Sequence, residues 1–234
     1  MDTNRKTALI AGLLFICATA ASLAGTAIEQ PVLNGADYLT NVSGYAKQVS
    51  AGGLLELIAA GTSVAIAIAL YPVLRNRSPG LALGSVVFRT IEAVMYAAAA
   101  ASLLSLLTLS QTLTDAAIAD RVSLQAIGDF LLGLRREFTL FGVFAFTVGA
   151  FMYYSVFYQT RLIPRWLSGW GIVGLLLILV ASLSSLFSGN PVTTYVILIL
   201  PIAAQEMVLA VWLIAKGFSS SAVQPGSAYA ISAR

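Results

Sequence analysis

The apolar residues of this chain are gathered into six runs, each close to the roughly 20 residues that an α-helix needs to cross hydrocarbon. They cover residues 7–28, 50–74, 81–109, 137–158, 166–187 and 192–215. Only 10% of the residues are charged and 59% are hydrophobic, against about 25% charged in a water-soluble domain. So little polar surface leaves lipid as the solvent for most of the exterior. The expected fold is all-α, a polytopic bundle of six transmembrane helices over residues 1–218, with a small, polar tail over 219–234 expected to be mobile. A basic start at Arg5 and Lys6 before a short apolar stretch with small residues after it also fits a cleaved signal peptide, but the run continues to Ile28 without an obvious cleavage context.

Lys and Arg in the loops set the expected orientation. With the N-terminus inside, the cytoplasmic ends hold Arg5, Lys6, Arg75, Arg77, Arg161, Arg165, Lys216 and Arg234, and the opposite side holds Lys47 and Arg121, with Arg135 and Arg136 at its border. This bias predicts cytoplasmic N- and C-termini in an inner (plasma) membrane. Residues 29–47 are too polar to span and read as an outer loop ordered at the interface. Residues 123–136 read as a short amphipathic helix before the fourth span, since Gln125, Asp129 and Arg136 share a face by their spacing.

Several chemistries are excluded. There is no histidine, which removes the commonest metal ligand and general base, and the single cysteine, Cys17, can form neither an internal disulfide nor a thiolate metal site. No cofactor is expected. The net charge of +3 comes with no basic tract carrying interleaved aromatics, so nucleic acid is not an expected partner. The expected partners are the bilayer itself, a small solute or lipid ligand, and a second copy of the chain.

The informative residues are those that lipid should reject. Glu56, Arg89, Glu92 and Glu206 all fall inside spans, where each ionised group costs about 2.5–3.5 kcal/mol on insertion scales. Such groups belong in the bundle interior, paired with one another. Arg89, Glu92, Tyr96 and Ala99 form one stripe of the third span, and Glu56, Ala60, Ser63 and Ala67 a stripe of small residues on the second. Counting depth along each helix predicts an Arg89–Glu206 pair and a Glu56–Arg136 pair, with Glu92 between them. Gln205 neighbours Glu206, and Pro201 and Pro72 are expected to kink the sixth and second spans. The lower aromatics of the fourth span, from Phe151 to Tyr158, fit an interfacial belt beside Arg161 and Arg165, or else the wall of an apolar ligand groove.

These pieces resemble a family. Leu54-Leu55-Glu56-Leu57, Tyr71-Pro72-Val73-Leu74, Phe88-Arg89-Thr90-Ile91-Glu92, Pro164-Arg165-Trp166-Leu167-Ser168-Gly169-Trp170-Gly171 and Gln205-Glu206-Met207-Val208-Leu209-Ala210 are similar to strings of the bacterial membrane family catalogued as domain of unknown function 4386. The resemblance would cover about residues 5–218 and implies a six-helix bacterial membrane protein whose motif residues include Glu56, Arg89, Glu92 and Glu206. It implies no activity.

Three functions stay open on the sequence. One is binding or translocation of a small solute, proton or lipid through an intramembrane cavity lined by Glu56, Arg89, Glu92, Arg136, Gln205 and Glu206. The second is an enzyme acting on a lipid or prenyl group, against which stand the missing histidine and the absence of a His-Glu-x-x-His or Gly-x-Ser-x-Gly motif. The third is a structural or regulatory subunit in which the charges only lock the fold. There Gly142 and Gly149, or residues 97–101, would offer an exposed small-residue face to a partner.

Overall fold

The protein, described by a computed structural model over residues 3–35, 37–115 and 118–219, is a bundle of long helices with no strand among the described residues. In chain order they are α1 (Thr3–Leu33), α2 (Tyr38–Gly44), α3 (Ala46–Leu74), α4 (Pro79–Asp115), α5 (Ile118–Thr160), α6 (Arg165–Ser188) and α7 (Val196–Ala215), with a 3₁₀ turn at Val192–Tyr195 before α7. Six of them are long and apolar enough to cross a membrane. The chain is a multi-pass membrane protein.

The spans close into a ring. α1 packs on α3, α3 on α4, α4 on α5, α5 on α6, α6 on α7, and α7 returns to α1. The closure is fixed at one end by Arg5, whose Nη1 and Nη2 donate to the carbonyls of Leu213 at 3.1 Å and Ile214 at 2.6 Å. These carbonyls lie in the last turn of α7, where Leu213 O also accepts from the Gly217 N–H at 3.1 Å, and a cation is favoured at that negative pole. The two outermost helices are therefore antiparallel neighbours, and the start of α1 and the end of α7 lie at one end of the bundle. Gly12 allows that contact to be close, because a Cβ there would meet the Ala210 carbonyl oxygen at 2.8 Å. Gly174 plays the same part between α6 and α7, with Ile202 Cα 3.1 Å from its absent Cβ.

Leu13, Leu23, Leu54, Ile68, Leu83, Val94, Leu176 and Val211 point outward, as a lipid-facing surface requires. The ring is filled chiefly by α5, whose apolar window is 67% buried against 28–39% for the other spans. Tyr153, Tyr154 and Phe157 are wholly enclosed and stack on one another, with the Tyr153 and Tyr154 ring centroids 4.6 Å apart. This corrects the expected interfacial belt: these aromatics are core, and only Phe151 and Tyr158 face outward. Trp166, at the start of α6, is exposed and crosses Trp212 edge-on.

Helices α4 and α5 contain 37 and 43 residues, about 55 and 65 Å at 1.5 Å per residue. Both exceed a hydrocarbon core of about 30 Å, so their hairpin extends past it. The amphipathic stretch 123–136 is helical, and runs without a break into the fourth span. Against this extension lies α2, the ordered part of the polar loop. Ser43 N–H donates to Ser110 Oγ at 2.8 Å, and the Ser110 hydroxyl donates to the Leu39 carbonyl. Tyr38 donates to Asp129 Oδ1 at 2.7 Å. Burial and the Asp129 carboxylate push the Tyr38 phenol above its ordinary range, so it stays a donor across neutral pH.

Neither proline ends its helix. Pro72 sits in the last turn of α3, and Pro201 in the second turn of α7, which starts later than the apolar run suggested. Of the tail expected over 219–234, only Ser219 lies within the described residues, and its N–H donates to the Leu162 carbonyl at 2.9 Å.

Candidate functional site

Two charged centres lie inside the ring. The first is built on Arg135 of α5. Its Nη2 meets Glu29 Oε2 of α1 at 2.5 Å, and its Nη1 reaches Glu56 Oε2 of α3 at 2.8 Å and the Ala99 carbonyl of α4 at 2.9 Å. One guanidinium thus joins four helices. Glu29 is 4% exposed and its Oε1 is buried without a hydrogen-bond partner.

The second centre is built on α4. Arg89 Nη1 lies 3.1 Å from Glu92 Oε2, one turn along the same helix, and Ser63 of α3 donates to that oxygen at 2.8 Å. The Arg89 guanidinium also sits over the Phe146 ring of α5, 4.8 Å from its centroid, which suits a desolvated cation. Gly149 makes the approach possible: a Cβ there would press on Arg89 Cγ at 3.2 Å. Glu206 of α7 accepts from Thr19 of α1 at 3.4 Å and is within electrostatic reach of Arg89. Arg89 is 3% exposed, yet its Nε and Nη1 make no hydrogen bond, and Glu206 Oε1 is likewise buried and unmatched.

The sequence-based pairs are redrawn by this geometry. Glu56 pairs with Arg135 and not with Arg136, because Arg135 shares the inward stripe of α5 with Gly142 and Gly149, whereas Arg136 is turned one position away and is exposed. Arg136 instead lines an open outer cleft of about 460 Å³ with Tyr38, Gln125 and Asp129. Arg89 makes its ion pair with Glu92, and Glu206 stands beside that pair without contacting it directly. Gln205 belongs elsewhere. It accepts from Tyr154 at 2.5 Å and donates to the Leu167 carbonyl at 3.0 Å, tying α7 to α5 and α6. Gly142 and Gly149 face α4 inside the ring, so they offer no exposed face to a partner.

Six spans in a ring, with Glu56, Arg89, Glu92 and Glu206 all turned inward, accompany a match of residues 10–217 to the family described as Domain of unknown function (DUF4386). The chain belongs to that family. No curated protein and no solved structure matches it.

In this DUF4386 member, sequence reasoning missed two site residues. The polar stretch after Ile28 places Glu29 in the outer loop on sequence grounds, but α1 continues to Leu33 and carries it inside. The available signal was Gly25, four residues earlier on the same face, which packs against Leu55 of α3. Arg135 was overlooked in favour of its neighbour, although it lies seven residues before Gly142 and fourteen before Gly149.

Proposed function

We propose that this protein binds protons in its interior and transfers them along the bundle, the proton being the best supported of the small solute, proton or lipid cargoes. One observation carries the proposal. Glu29, Glu56, Glu92 and Glu206 share the interior with Arg89 and Arg135, four carboxyls for two guanidiniums. Each centre therefore has one carboxyl more than its arginine can balance, and an unbalanced charge is costly in hydrocarbon. A proton is the cation that fits: it adds to a single carboxyl oxygen, whereas a metal ion would lie against a guanidinium. Among the described residues no three acidic, cysteine or histidine side chains gather to hold a metal.

The test is proton flux into liposomes that contain the protein and a pH-sensitive dye, driven by an imposed potassium diffusion potential. Wild-type vesicles should acidify faster than empty ones. Glu206→Gln, which keeps shape and removes the exchangeable carboxyl, should lower the rate by about 10²-fold. Wild-type flux equal to that of empty vesicles overturns the proposal.

The proposal extends to placement in a bacterial inner (plasma) membrane with both termini cytoplasmic. The end of the bundle shared by the start of α1 and the end of α7 carries Arg5, Lys6, Arg75, Arg77, Arg161, Arg165 and Lys216, while the end around α2 carries Lys47, Arg121 and the exposed Arg136, the asymmetry expected of short cytoplasmic loops. In a Cys17→Ser background, Asn34→Cys in intact cells should react with an impermeant maleimide and Ser78→Cys should not. The reverse pattern inverts the assignment.

A further inference from the structure

Charge that proton transfer does not use lines the open cleft at the α2 end of the bundle. The cleft holds about 460 Å³, within the range of about 300–1,000 Å³ typical of small-molecule sites. One wall is a single stripe of α5, where Asp129, Leu132 and Arg136 are spaced three and four residues apart. From Asp129 to Arg136 the stripe rises two turns, about 10 Å. Neither side chain forms an ion pair among the described residues.

The acidic end is held in place and has acceptors to spare. Tyr38 and Gln125 both donate to Asp129 Oδ1, at 2.7 and 3.0 Å. Gly128 makes room for the phenol, since a Cβ there would meet the Tyr38 hydroxyl oxygen at 2.9 Å. These bonds leave Asp129 Oδ2 unused, and with the Gln125 amide nitrogen turned to Asp129, its Oε1 remains as an acceptor. Asn34, also on the cleft wall, is oriented in the same way: its Nδ2 donates to Gln30 Oε1 at 2.9 Å, which leaves its own carbonyl oxygen. A primary ammonium, with three donors and no acceptor, is the group that such an end fits. At the other end Arg136 keeps its guanidinium fork free of any ion pair among the described residues, and a fork of this kind takes two oxygens of a phosphate at once. Leu132, one turn from each charge, is the apolar step between them.

Along the stripe, acceptors, hydrocarbon and guanidinium follow one another. We infer that the cleft binds a molecule of the complementary order, a phosphoethanolamine, with its ammonium at Asp129 and its phosphate at Arg136. Length supports the match. A charge-assisted hydrogen bond of about 2.8 Å at each end leaves about 4–5 Å of the two-turn rise for the ligand, the reach of an ammonium and a phosphate joined by two carbons. An α-amino acid, whose two charged groups share one carbon, is too short to meet both ends. The same chemistry occurs free in water and as the headgroup of phosphatidylethanolamine. Arg136 immediately precedes the fourth apolar run, 137–158, the level at which hydrocarbon gives way to headgroups, and this favours the lipid.

The test is native mass spectrometry of the full chain in detergent, titrated with phosphatidylethanolamine or phosphatidylcholine of the same acyl chains, beside calorimetric titration with O-phosphoethanolamine. One phosphatidylethanolamine should bind saturably per chain. Phosphatidylcholine, whose trimethylated nitrogen has no N–H to donate, should bind at least about tenfold more weakly. Arg136→Gln and Asp129→Asn should each weaken phosphatidylethanolamine binding by about tenfold or more. Both variants should fold, because Arg136 is exposed and asparagine still accepts from Tyr38 and Gln125. O-Phosphoethanolamine that binds with the same dependence on both side chains, without a lipid adduct, upholds the chemistry and assigns it to a soluble molecule. Absence of saturable binding by either probe, binding that survives both substitutions, or phosphatidylcholine held as tightly as phosphatidylethanolamine overturns the inference. Should Asp129→Asn fail to fold, Arg136→Gln and the comparison of the two lipids on the wild-type chain decide it. Proton flux in the liposome assay is a separate readout, so either reading can fail without the other.

Discussion

Replacing Arg135 with Gln should destabilise the bundle by about 3–5 kcal/mol, the range found when one partner of a buried ion pair is removed, whereas Arg136→Gln should stay within about 0.5 kcal/mol. The contrast between adjacent arginines follows from their surroundings. Among the described residues Arg135 supplies the only guanidinium that contacts Glu29 and Glu56, and it also satisfies the Ala99 carbonyl, so its loss strands two carboxyls and an acceptor between four helices. Glutamine can replace one of those bonds at most. Arg136 is exposed at the rim of the cleft and makes no ion pair within 4 Å among the described residues. Reversible unfolding of the two variants in detergent, read by loss of helical signal, measures the difference. Equal stabilities would mean that the Arg135 centre does not lock the ring.

That contrast also shows which parts of the molecule could be read from the amino acids. The hydrophobic middles of the spans are unambiguous, because hydrocarbon tolerates only runs of that length and composition. Their ends are not. α4 and α5 continue as a hairpin that packs on itself and against α2, through contacts such as Tyr38–Asp129 and Ser43–Ser110 that no local pattern announces. For the site, the cost of burying charge pointed directly to Arg89, Glu92, Glu56 and Glu206, and the structure turns all four inward. Pairing was not legible. Depth counted along separate helices carries an error of about one turn, and one residue is enough to exchange an inward arginine for an outward one. Glycine spacing was the better guide, since Gly142 and Gly149 mark the stripe of α5 that faces Tyr96 and Arg89. A docking face for a partner would turn the same glycines to the wrong side.

Gly52 of α3 should prove equally intolerant, and for a reason that can be separated from helix propensity. A Cβ at this position would fall well inside van der Waals contact with both Cγ and Oε1 of Glu29. An unconstrained glutamate would swing aside at little cost. Glu29 is constrained, because its other oxygen is held by Arg135 at 2.5 Å and its stem is enclosed between α1 and α3. Gly52→Val must therefore either overpack the contact, which typically costs about 1–3 kcal/mol, or expel Glu29 and undo part of the Arg135 centre. The two costs are coupled, and a double-mutant cycle resolves them. In a Glu29→Ala background the obstructing carboxyl is gone, and most of the Gly52→Val penalty should disappear, leaving a coupling of about 1–3 kcal/mol. Gain of helix propensity alone would make Gly52→Val neutral or stabilising in both backgrounds. A penalty that persists undiminished when Glu29 is alanine would show that Gly52 serves the helix contact itself, and that the carboxylate is seated by something other than the space this glycine leaves.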